Sequence, residues 1–377
     1  MDNNDTPINI YLDLSKAFDT LDHDILLYKL QYYGVRGNAL LLLRSYLENR
    51  QQFVEYGNIE SDYLPLSTGV PQGSILGPLL FIIYINDINM ATSTFKATIY
   101  ADDTALSATL SAFSVSELSV EEKINKELDK VNDWFKLNKL SLNIAKTKAM
   151  LFHTPQKRVI PPNIMINDTN IEFVNNFNYL GIIFDSNLSW NYHIDMVSRK
   201  IARTVGVMAR LKNFLPAKVL LTLYNSLILP YLNYGLVVWG EKCLKLFTIQ
   251  KRAVRLILNA KYNSHTNPIF KELKLLKICD LYSSQEFRFV FKLEKRLLPK
   301  YFLNKSYLRH SDRHDYDTRN AQNFELLRSR HHFTRNSICY RVPEIMNDGS
   351  SDILDKIGTL SLSDYMKYIK MSFINSY

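Results

Sequence analysis

Two adjacent aspartates, Asp102 and Asp103, follow a short apolar run that is typical of a β-strand. The segments Phe95–Tyr100 and Thr104–Leu110 predict the two strands of a hairpin, with Ala101, Asp102 and Asp103 as its turn. Neighbouring carboxylates repel each other, and folding gains nothing from holding both at one turn unless a cation neutralises them. A divalent metal ion, which prefers oxygen ligands, explains the pair. A solvated turn is the alternative, because Asp is common in turns.

A third carboxylate, Asp13, lies near the start of the chain on a segment that is predicted to be a strand. Apolar residues from Ile8 to Leu14 occupy every second position, and Asp13 belongs to the intervening set. If this strand pairs beside the hairpin, three carboxylates meet as two-metal phosphoryl transfer requires. One ion then lowers the pKa of an attacking hydroxyl and the other stabilises the leaving oxygen. A charge at a sheet edge is the alternative for Asp13 alone.

The apolar pattern changes from mixed to helical near residue 186. In the first half, a helix is predicted after a cap at Asp19 or Asp22, and further helices are predicted over 39–49, 79–86 and 117–137. Further β-structure is predicted over 51–68, 148–153 and 173–185. The second half predicts helices over 194–212, 217–229, 244–258 and 281–298, and a polar loop or arm over 304–323. This order predicts an α+β domain over residues 1–185 and a mostly α-helical region over residues 186–377.

Charge divides the chain at the same place. Residues 1–110 hold 6 Lys and Arg against 13 Asp and Glu, and residues 111–185 hold 9 against 9. Residues 186–377 hold 31 against 15. An acidic front and a basic back indicate a carboxylate site joined to a region that binds a polyanion such as nucleic acid. Cations that only keep helices soluble are the alternative.

Composition excludes several classes of protein. Hydrophobic residues make up 46% of the chain and charged residues 22%, which excludes disorder of the whole chain. The three cysteines are far apart, which argues against a disulfide scaffold or a paired zinc site and favours a reducing compartment. The polar, acidic start is not a secretory signal, and Pro230 interrupts the apolar segment Val219–Trp239. We therefore expect an intracellular protein, nuclear or cytoplasmic, with no membrane partner.

Taken in their order along the chain, the sequence motifs resemble those of the reverse transcriptases of non-LTR (LINE-type) retrotransposons. The stretch Tyr100-Ala101-Asp102-Asp103 alone is a modest signal, whereas several motifs in the right order and spacing are a strong one. The matching stretches are Leu12–Asp24, Gly69–Phe81, Ile99–Leu106, Leu140–Phe152, Tyr179–Asp185, Leu229–Gly235 and Tyr316–Arg319.

The resemblance implies a right-hand polymerase fold. Residues 1–185 are then the palm, an antiparallel sheet with helices, and residues 186–377 are a helical basic thumb and a C-terminal nucleic-acid-binding region. The implied activity is RNA-directed DNA polymerisation by two-metal nucleotidyl transfer from a dNTP to a primer 3′-hydroxyl. RNA template, DNA primer and dNTP are the implied partners, and the sequence assigns no oligomeric state.

The resemblance also implies roles for individual residues. Asp13, Asp102 and Asp103 hold two Mg²⁺ ions, which Mn²⁺ can replace, and the backbone carbonyl of Leu14 adds a ligand. Phe18 is the steric gate that excludes a 2′-hydroxyl by its bulk. A phenylalanine of the hydrophobic core is the alternative for Phe18.

Three further elements receive roles from the same resemblance. Gln72 and Gly73 lie against the incoming nucleotide and the template strand. Lys146 or Lys148 lies near the leaving pyrophosphate and acts as general acid, with surface solubility as the alternative for either lysine. The turn Tyr179-Leu180-Gly181 forms the primer grip.

Cations at helical spacing in the second half are candidates for phosphate contacts that are salt-sensitive and indifferent to sequence. They are Arg199, Lys200, Arg203 and Arg210 on one predicted helix and Lys251, Arg252 and Arg255 on another. The run from Tyr307 to Arg319, rich in Arg, His and Tyr, adds stacking to charge, with a solvated loop as the alternative.

The start of the chain departs from the family pattern. Only twelve residues precede Asp13, where such enzymes carry a fingers subdomain whose basic side chains hold the triphosphate. We therefore expect an N-terminally truncated reverse transcriptase with largely missing fingers and less preorganisation for phosphoryl transfer. One alternative is a catalytically impaired relic that only binds nucleic acid. Another is a metal-dependent nuclease, which needs neither Phe18 nor the stretch Gly69–Pro78.

Overall fold

The apolar patterns become helices and strands in a computed structural model that describes residues 5–114, 118–304, 307–312, 321–326, 329, 331–348 and 351–377. The chain divides into two units. The first ends at Gly181 and also includes Asp185–Asn187, and the second comprises Ile182–Phe184 and Leu188–Tyr377. Across the described ranges, no helix combines the length and the apolar character that crossing a membrane requires.

The first unit combines short strands with helices, as the alternating and helical patterns predict. Its elements are β1 (Pro7–Leu12), α1 (His23–Tyr32), α2 (Asn38–Leu47), β2 (Arg50–Gln52), β3 (Glu55–Tyr56), β4 (Ile59–Glu60), β5 (Leu64–Leu66), α3 (Leu76–Ile85), β6 (Lys96–Tyr100), β7 (Asp103–Thr109), α4 (Val120–Leu137), β8 (Lys148–Leu151), β9 (Met165–Ile166), β10 (Thr169–Asn170), β11 (Glu172–Phe173) and β12 (Asn176–Tyr179).

The main sheet has the strand order β11-β8-β1-β7-β6. Strand β1 lies between β7 and β8 and pairs antiparallel with both, and β6 pairs antiparallel with β7. The prediction of an antiparallel sheet is wrong at one edge, where β11 pairs parallel with β8. Strand β11 can run parallel to β8 because the chain passes through β9 and β10 between these two strands, instead of turning back directly.

Alternation explains only part of the burial of β1. Ile8 and Ile10 are completely buried in the core of the first unit, as their period-two spacing predicts. Tyr11, on the opposite face, is also buried, because its ring stacks on that of Phe177 with centroids 4.2 Å apart. Distant aromatic residues therefore cover a face that the local pattern predicts to be polar.

Side-chain caps fix the starts of two helices. Asp22, rather than Asp19, caps α1 by accepting a hydrogen bond from the Ile25 N–H at 3.0 Å. Helix α4 begins with a capping box in which Ser119 and Glu122 each bond the other's backbone N–H. The predicted start of this helix at Glu117 lies outside the described residues.

The second unit is helical from Asn191 onward, as predicted. Its elements are β13 (Ile182–Asp185, whose last residue belongs to the first unit), α5 (Asn191–Leu211), α6 (Ala217–Leu227), α7 (Leu229–Asn233), α8 (Leu236–Trp239), α9 (Leu244–Ile257), α10 (Asn267–Glu272), α11 (Ile278–Glu294), α12 (Lys300–Leu303), α13 (His332–Arg335), α14 (Ile338–Asp348), α15 (Ser351–Asp355) and α16 (Leu362–Asn375).

The helix break predicted at Pro230 is confirmed, because α6 ends at Leu227 and α7 begins at Leu229. Pro230 lies in the first turn of α7, where its missing N–H leaves no helical hydrogen bond unmade. The predicted arm over 304–323 is described only at 304, 307–312 and 321–323. The motif Tyr316-Asp317-Thr318-Arg319 lies outside the described residues.

Candidate active site

The strand register of the main sheet brings Asp13 to the β6–β7 hairpin. Leu12, the last residue of β1, pairs with Thr104 of β7. One further step along this antiparallel register places Asp13 opposite Asp103. Two carboxylates that are 90 positions apart in the sequence therefore meet at one end of the sheet.

The hairpin turn is shorter than the sequence predicts. Tyr100 pairs with Asp103, so only Ala101 and Asp102 lie between the two strands. Ala101 has a φ of 52°, a positive value of the kind that tight two-residue hairpin turns require. The prediction that Asp103 belongs to the turn is wrong, because Asp103 is the first residue of β7.

The electrostatics of the site come from its three carboxylates. Partial burial raises the pKa of Asp103, and the charges of Asp102 and Asp13 raise it further. Within the described ranges, no group of three or more His, Cys, Asp or Glu side chains is close enough to hold a metal ion as it stands. The three carboxylates are thus close enough to repel one another but do not converge on one point.

A turn between α4 and β8 holds the backbone of Asp13. The Asn143 N–H donates to the Asp13 carbonyl at 2.8 Å, and the Asp13 N–H donates to Thr147 Oγ1 at 3.4 Å. Thr147 is 1% exposed and donates in turn to the Asn143 carbonyl at 3.0 Å. Leu14 bridges Leu142 beside these bonds. The sequence does not single out Asn143 and Thr147, whose signal is only that two polar residues lie beside Lys146 and Lys148.

The two candidate lysines have different partners. Lys146 Nζ lies 3.9 Å from Asp13 Oδ2, and its side chain is 72% exposed. Lys148 Nζ lies 2.8 Å from Glu172 Oε2 and donates to the Ala145 carbonyl. Lys146 is therefore the lysine beside the carboxylates, and Lys148 joins two neighbouring strands.

The glycine-rich loop after β5 is fixed against the turn that follows β1. Gly69 has a φ of +85°, and a Cβ there would lie 2.8 Å from the Asp19 carbonyl oxygen, so only glycine fits. Its N–H donates to the Leu21 carbonyl at 2.7 Å, and its own carbonyl accepts from His23 Nε2 at 2.7 Å. Asp19, which the sequence suggests only as a helix cap, and His23, which the sequence does not single out, thus position this loop.

The structure places Phe18, Gln72 and Gly73 on the same two segments. The Phe18 ring packs on the Phe81 ring with centroids 4.9 Å apart, so it contacts the core as the alternative interpretation predicts. Gln72 Nε2 donates to Asp19 Oδ1 at 2.8 Å. Gly73 is exposed with a φ of +78°, and nothing lies within 4 Å of the position of a Cβ.

A cavity of about 590 Å³ opens beside these segments. Its wall includes the cations Lys16 and Arg50, the carboxylate Asp19, and residues Thr68–Gln72. A cavity with charges of both signs suits a polar ligand better than an apolar one.

An aromatic stack connects the predicted primer grip to β1. The Tyr11 ring, stacked on Phe177, has its centroid 5.3 Å from that of Tyr179. Burial raises the pKa of Tyr179, and the charges of Asp103 and Tyr11 raise it further. The Tyr179 hydroxyl is buried without a hydrogen-bond partner among the described residues. Leu180 and Gly181 follow with φ values of 50° and 76°, which reverse the chain direction.

The cations of the second unit lie mainly on exposed helix faces. On α5, Arg199, Lys200, Arg203 and Arg210 are exposed, whereas the opposite face is buried. On α9, Arg252 is exposed, and Lys251 and Arg255 are half-buried. These faces are available to a polyanion, and the predicted helical spacing of the cations is confirmed.

Comparison with known proteins shows which proteins these features are similar to. Residues 3–184 match the family model described as reverse transcriptase (RNA-dependent DNA polymerase). The RNA-directed DNA polymerase from mobile element jockey of Drosophila melanogaster is 29% identical over 296 residues, which cover 74% of this chain and 31% of that protein. The probable RNA-directed DNA polymerase from transposon X-element of the same species is 27% identical over 307 residues, which cover 76% and 32%.

The chain spans about a third of the length of these two relatives. Among solved structures, a telomerase from Candida tropicalis, in complex with a fragment of telomeric RNA, aligns with a TM-score of 0.39 and 10% identity. The alignment covers 97% of this chain and 49% of that one.

Proposed function

We propose, for a chain that carries a reverse transcriptase domain over residues 3–184 and is homologous to non-LTR retrotransposon polymerases, that it is itself an RNA-directed DNA polymerase. In the proposed reaction, a primer 3′-hydroxyl attacks the α-phosphate of a dNTP on an RNA template, and pyrophosphate leaves. The observation that carries the proposal is the register that sets Asp13 opposite Asp103, beside the Ala101–Asp102 turn.

Asp13, Asp102 and Asp103 are the proposed ligands of two Mg²⁺ ions, with the Leu14 carbonyl as a further ligand. The donors suit the ions, because Mg²⁺ prefers carboxylate and carbonyl oxygens. The raised pKa of Asp103 indicates negative charge that a cation would neutralise. When bound, the two ions lower the pKa of the primer hydroxyl and stabilise the leaving oxygen. Asp102 and Asp103 are exposed, so their side chains are free to turn toward a common point.

Other residues of the chain bind and orient the substrates. Lys146, beside Asp13, is the proposed general acid for the leaving pyrophosphate. Phe18 lies under the sugar of the incoming nucleotide and excludes a 2′-hydroxyl by its bulk. Gln72 contacts the nucleotide, and the open space at Gly73 lets the backbone approach the template strand.

The nucleic acid is proposed to contact both parts of the chain. Residues 1–185 act as the palm, in which the turn Tyr179-Leu180-Gly181 grips the primer end. Residues 186–377 act as the thumb and a C-terminal nucleic-acid-binding region. The exposed cations of α5 support this role, because they suit backbone phosphates of any sequence.

Primer extension tests the proposal. The purified chain is given a DNA primer annealed to an RNA template, dNTPs and Mg²⁺, beside the double variant Asp102→Ala/Asp103→Ala. Asp129→Asn, which changes an exposed carboxylate on α4, is the matched control. We expect extension by the wild-type chain and by the control, and none by the double variant.

A nucleic-acid-binding relic is the competing function. This function predicts that the wild-type chain does not extend the primer. It also predicts that the wild-type chain and the double variant bind RNA equally well, in a salt-sensitive way. The basic second half, with 31 Lys and Arg against 15 Asp and Glu, is the observation that favours such binding.

A further inference from the structure

Two cysteines that the proposed polymerase does not use lie side by side in the second unit. Cys243 and Cys279 are 36 positions apart, and their Sγ atoms are 3.7 Å apart. Both are free thiols, with Cys243 buried and Cys279 half-buried. We propose that this pair is a modification site, at which a peroxide oxidises the two thiols to an intrachain disulfide.

The surrounding helices hold the two sulfur atoms close to bonding distance. Cys243 precedes α9, and Cys279 is the second residue of α11. Gln250 of α9, which is fully buried, donates to the Leu276 carbonyl and accepts from the Ile278 N–H, both at 2.9 Å. These bonds fix the start of α11 against α9, directly beside Cys279. Because a disulfide joins sulfur atoms at about 2.0 Å, closure needs an approach of only about 1.7 Å.

The two thiols differ in environment, which assigns them different parts in the reaction. Cys279 lies in the first turn of α11, where the helix N–H groups favour a thiolate. The hydrogen bond with Cys243 lowers the pKa of Cys279, and Lys277 favours the thiolate further, although burial and Asp280 oppose it. The same hydrogen bond, together with burial, raises the pKa of Cys243. Cys279 is therefore the attacking thiolate, and Cys243 is the resolving thiol.

The reaction proceeds in two balanced steps. The Cys279 thiolate attacks one oxygen of hydrogen peroxide, the O–O bond breaks, and a sulfenic acid and hydroxide form. The Cys243 thiol then attacks the sulfenic sulfur, the S–O bond breaks, and water leaves with the thiol proton as the S–S bond forms. Overall, two thiols lose two electrons and two protons, and one peroxide is reduced to two waters.

The disulfide would enclose the whole of α9 in a covalent loop. This helix carries three of the cations proposed to contact nucleic acid, Lys251, Arg252 and Arg255. Cross-linking shrinks the unfolded ensemble, so oxidation should raise the Tm of the second unit, by on the order of 5 °C.

Peptide mapping by mass spectrometry tests the site directly. The full chain is treated with hydrogen peroxide, remaining thiols are alkylated, and the digest is searched for linked peptides. We expect one dominant cross-link, Cys243 to Cys279, reversed by a reducing agent, with Cys339 recovered outside this link. The same link should form in Cys339→Ser, the matched control, and should disappear in Cys279→Ser.

Two results would overturn the proposal. One is recovery of Cys243 and Cys279 as separate alkylated or singly oxidised residues after peroxide treatment of folded protein. The other is that links to Cys339 form as often as the link between Cys243 and Cys279. Protein that is unfolded in denaturant and oxidised in parallel shows the pattern expected of such random pairing. Neither result depends on polymerase activity, so this experiment tests the cysteine site independently of the proposed function.

Discussion

Two carboxylates of the first unit, Glu127 and Asp103, experience opposite electrostatic conditions. Glu127 on α4 is 6% exposed and accepts hydrogen bonds from Thr92 Oγ1 at 2.5 Å, the Ser93 N–H at 2.9 Å and Lys130 Nζ at 2.6 Å. Burial raises the pKa of Glu127, but these hydrogen bonds lower it more, to about 2. The pKa of Asp103 is instead raised, by burial and by two neighbouring carboxylates.

The opposite pKa shifts distinguish Glu127, a carboxylate that stabilises the fold, from Asp103 and its neighbours, carboxylates that suit a cation. The loop before β6 donates its hydrogen bonds to Glu127, so losing this charge would weaken these bonds, and a glutamine would also replace one acceptor oxygen with a donor. Losing the charge of Asp103 would only relieve repulsion among like charges. Stability and catalysis should therefore respond in opposite ways at the two positions.

The largest expected effect is on primer extension by Asp103→Asn. We expect the rate to fall by on the order of 10³-fold, because the variant loses a proposed metal ligand. Its free energy of unfolding in urea should equal or exceed that of the wild type, because one of three like charges is gone. Extension within tenfold of the wild-type rate would show that the carboxylate is not required.

Glu127→Gln should show the reverse pattern. We expect a loss of about 2–3 kcal/mol in the free energy of unfolding, with an unchanged extension rate per folded molecule. Asp129→Asn, an exposed change on the same helix, is the control and should alter stability by less than about 0.5 kcal/mol. If the two variants were equally stable, Glu127 would not be the structural carboxylate of the comparison.

The stability difference between wild type and Glu127→Gln should depend on pH. The folded pKa of Glu127, about 2, lies below its ordinary value of 4.5. Between these values the folded state binds fewer protons than the unfolded state, so the stabilisation is complete above about pH 4.5 and declines as pH falls toward 2. Urea denaturation of both proteins between about pH 5 and 3 should show the difference shrinking, and a constant difference would contradict the assignment.

How far the sequence could predict these features depends on how local their causes are. The Asp22 cap and the β6–β7 hairpin follow from residues within a few positions. The sequence predicted the cap as one of two candidates and predicted the hairpin with one residue too many in its turn. The meeting of Asp13 with Asp103 followed once strand pairing was assumed. The burial of Tyr11 was not predictable, because it depends on aromatic rings more than 160 positions away in the sequence.

The same limit applies to the residues that hold the site. Asn143 and Thr147 bond the backbone of Asp13 across a separation of 130 positions or more, and no short motif encodes such a contact. Thr92 and Ser93, which donate to Glu127, lie more than 30 positions before it. Alternation and capping reveal which elements form, whereas the hydrogen bonds between elements need the folded chain.

A smaller effect is expected from Lys146→Ala, compared with Lys148→Ala. Lys146 lies beside Asp13, whereas Lys148 pairs with Glu172. Loss of the proposed general acid at an exposed position should slow extension by on the order of 10–100-fold, and Lys148→Ala should slow it far less. Single-turnover extension rates, with both variants at equal folded concentration, measure the difference. The reverse order would assign the general acid to Lys148.

The smallest expected effect tests whether Tyr179 belongs with the site or with the fold. Its buried hydroxyl has no partner among the described residues, although the charge of Asp103 is near enough to raise its pKa. Tyr179→Phe keeps the stack on Tyr11 and removes a polar atom that burial leaves unpaired, so the free energy of unfolding should rise by up to about 1 kcal/mol.

Extension by Tyr179→Phe should nevertheless fall, by roughly threefold, if the hydroxyl interacts with the carboxylates or the primer end in the working site. Tyr11→Phe is the matched control, because the Tyr11 hydroxyl accepts from Asn9 Nδ2 at 3.4 Å and shares the same stack. A gain in stability with a loss of rate would place Tyr179 with Asp103, as a polar group that the fold leaves uncompensated beside the site. A loss of stability with no change in rate would place it with Glu127 instead, as a group whose hydrogen bond the fold requires.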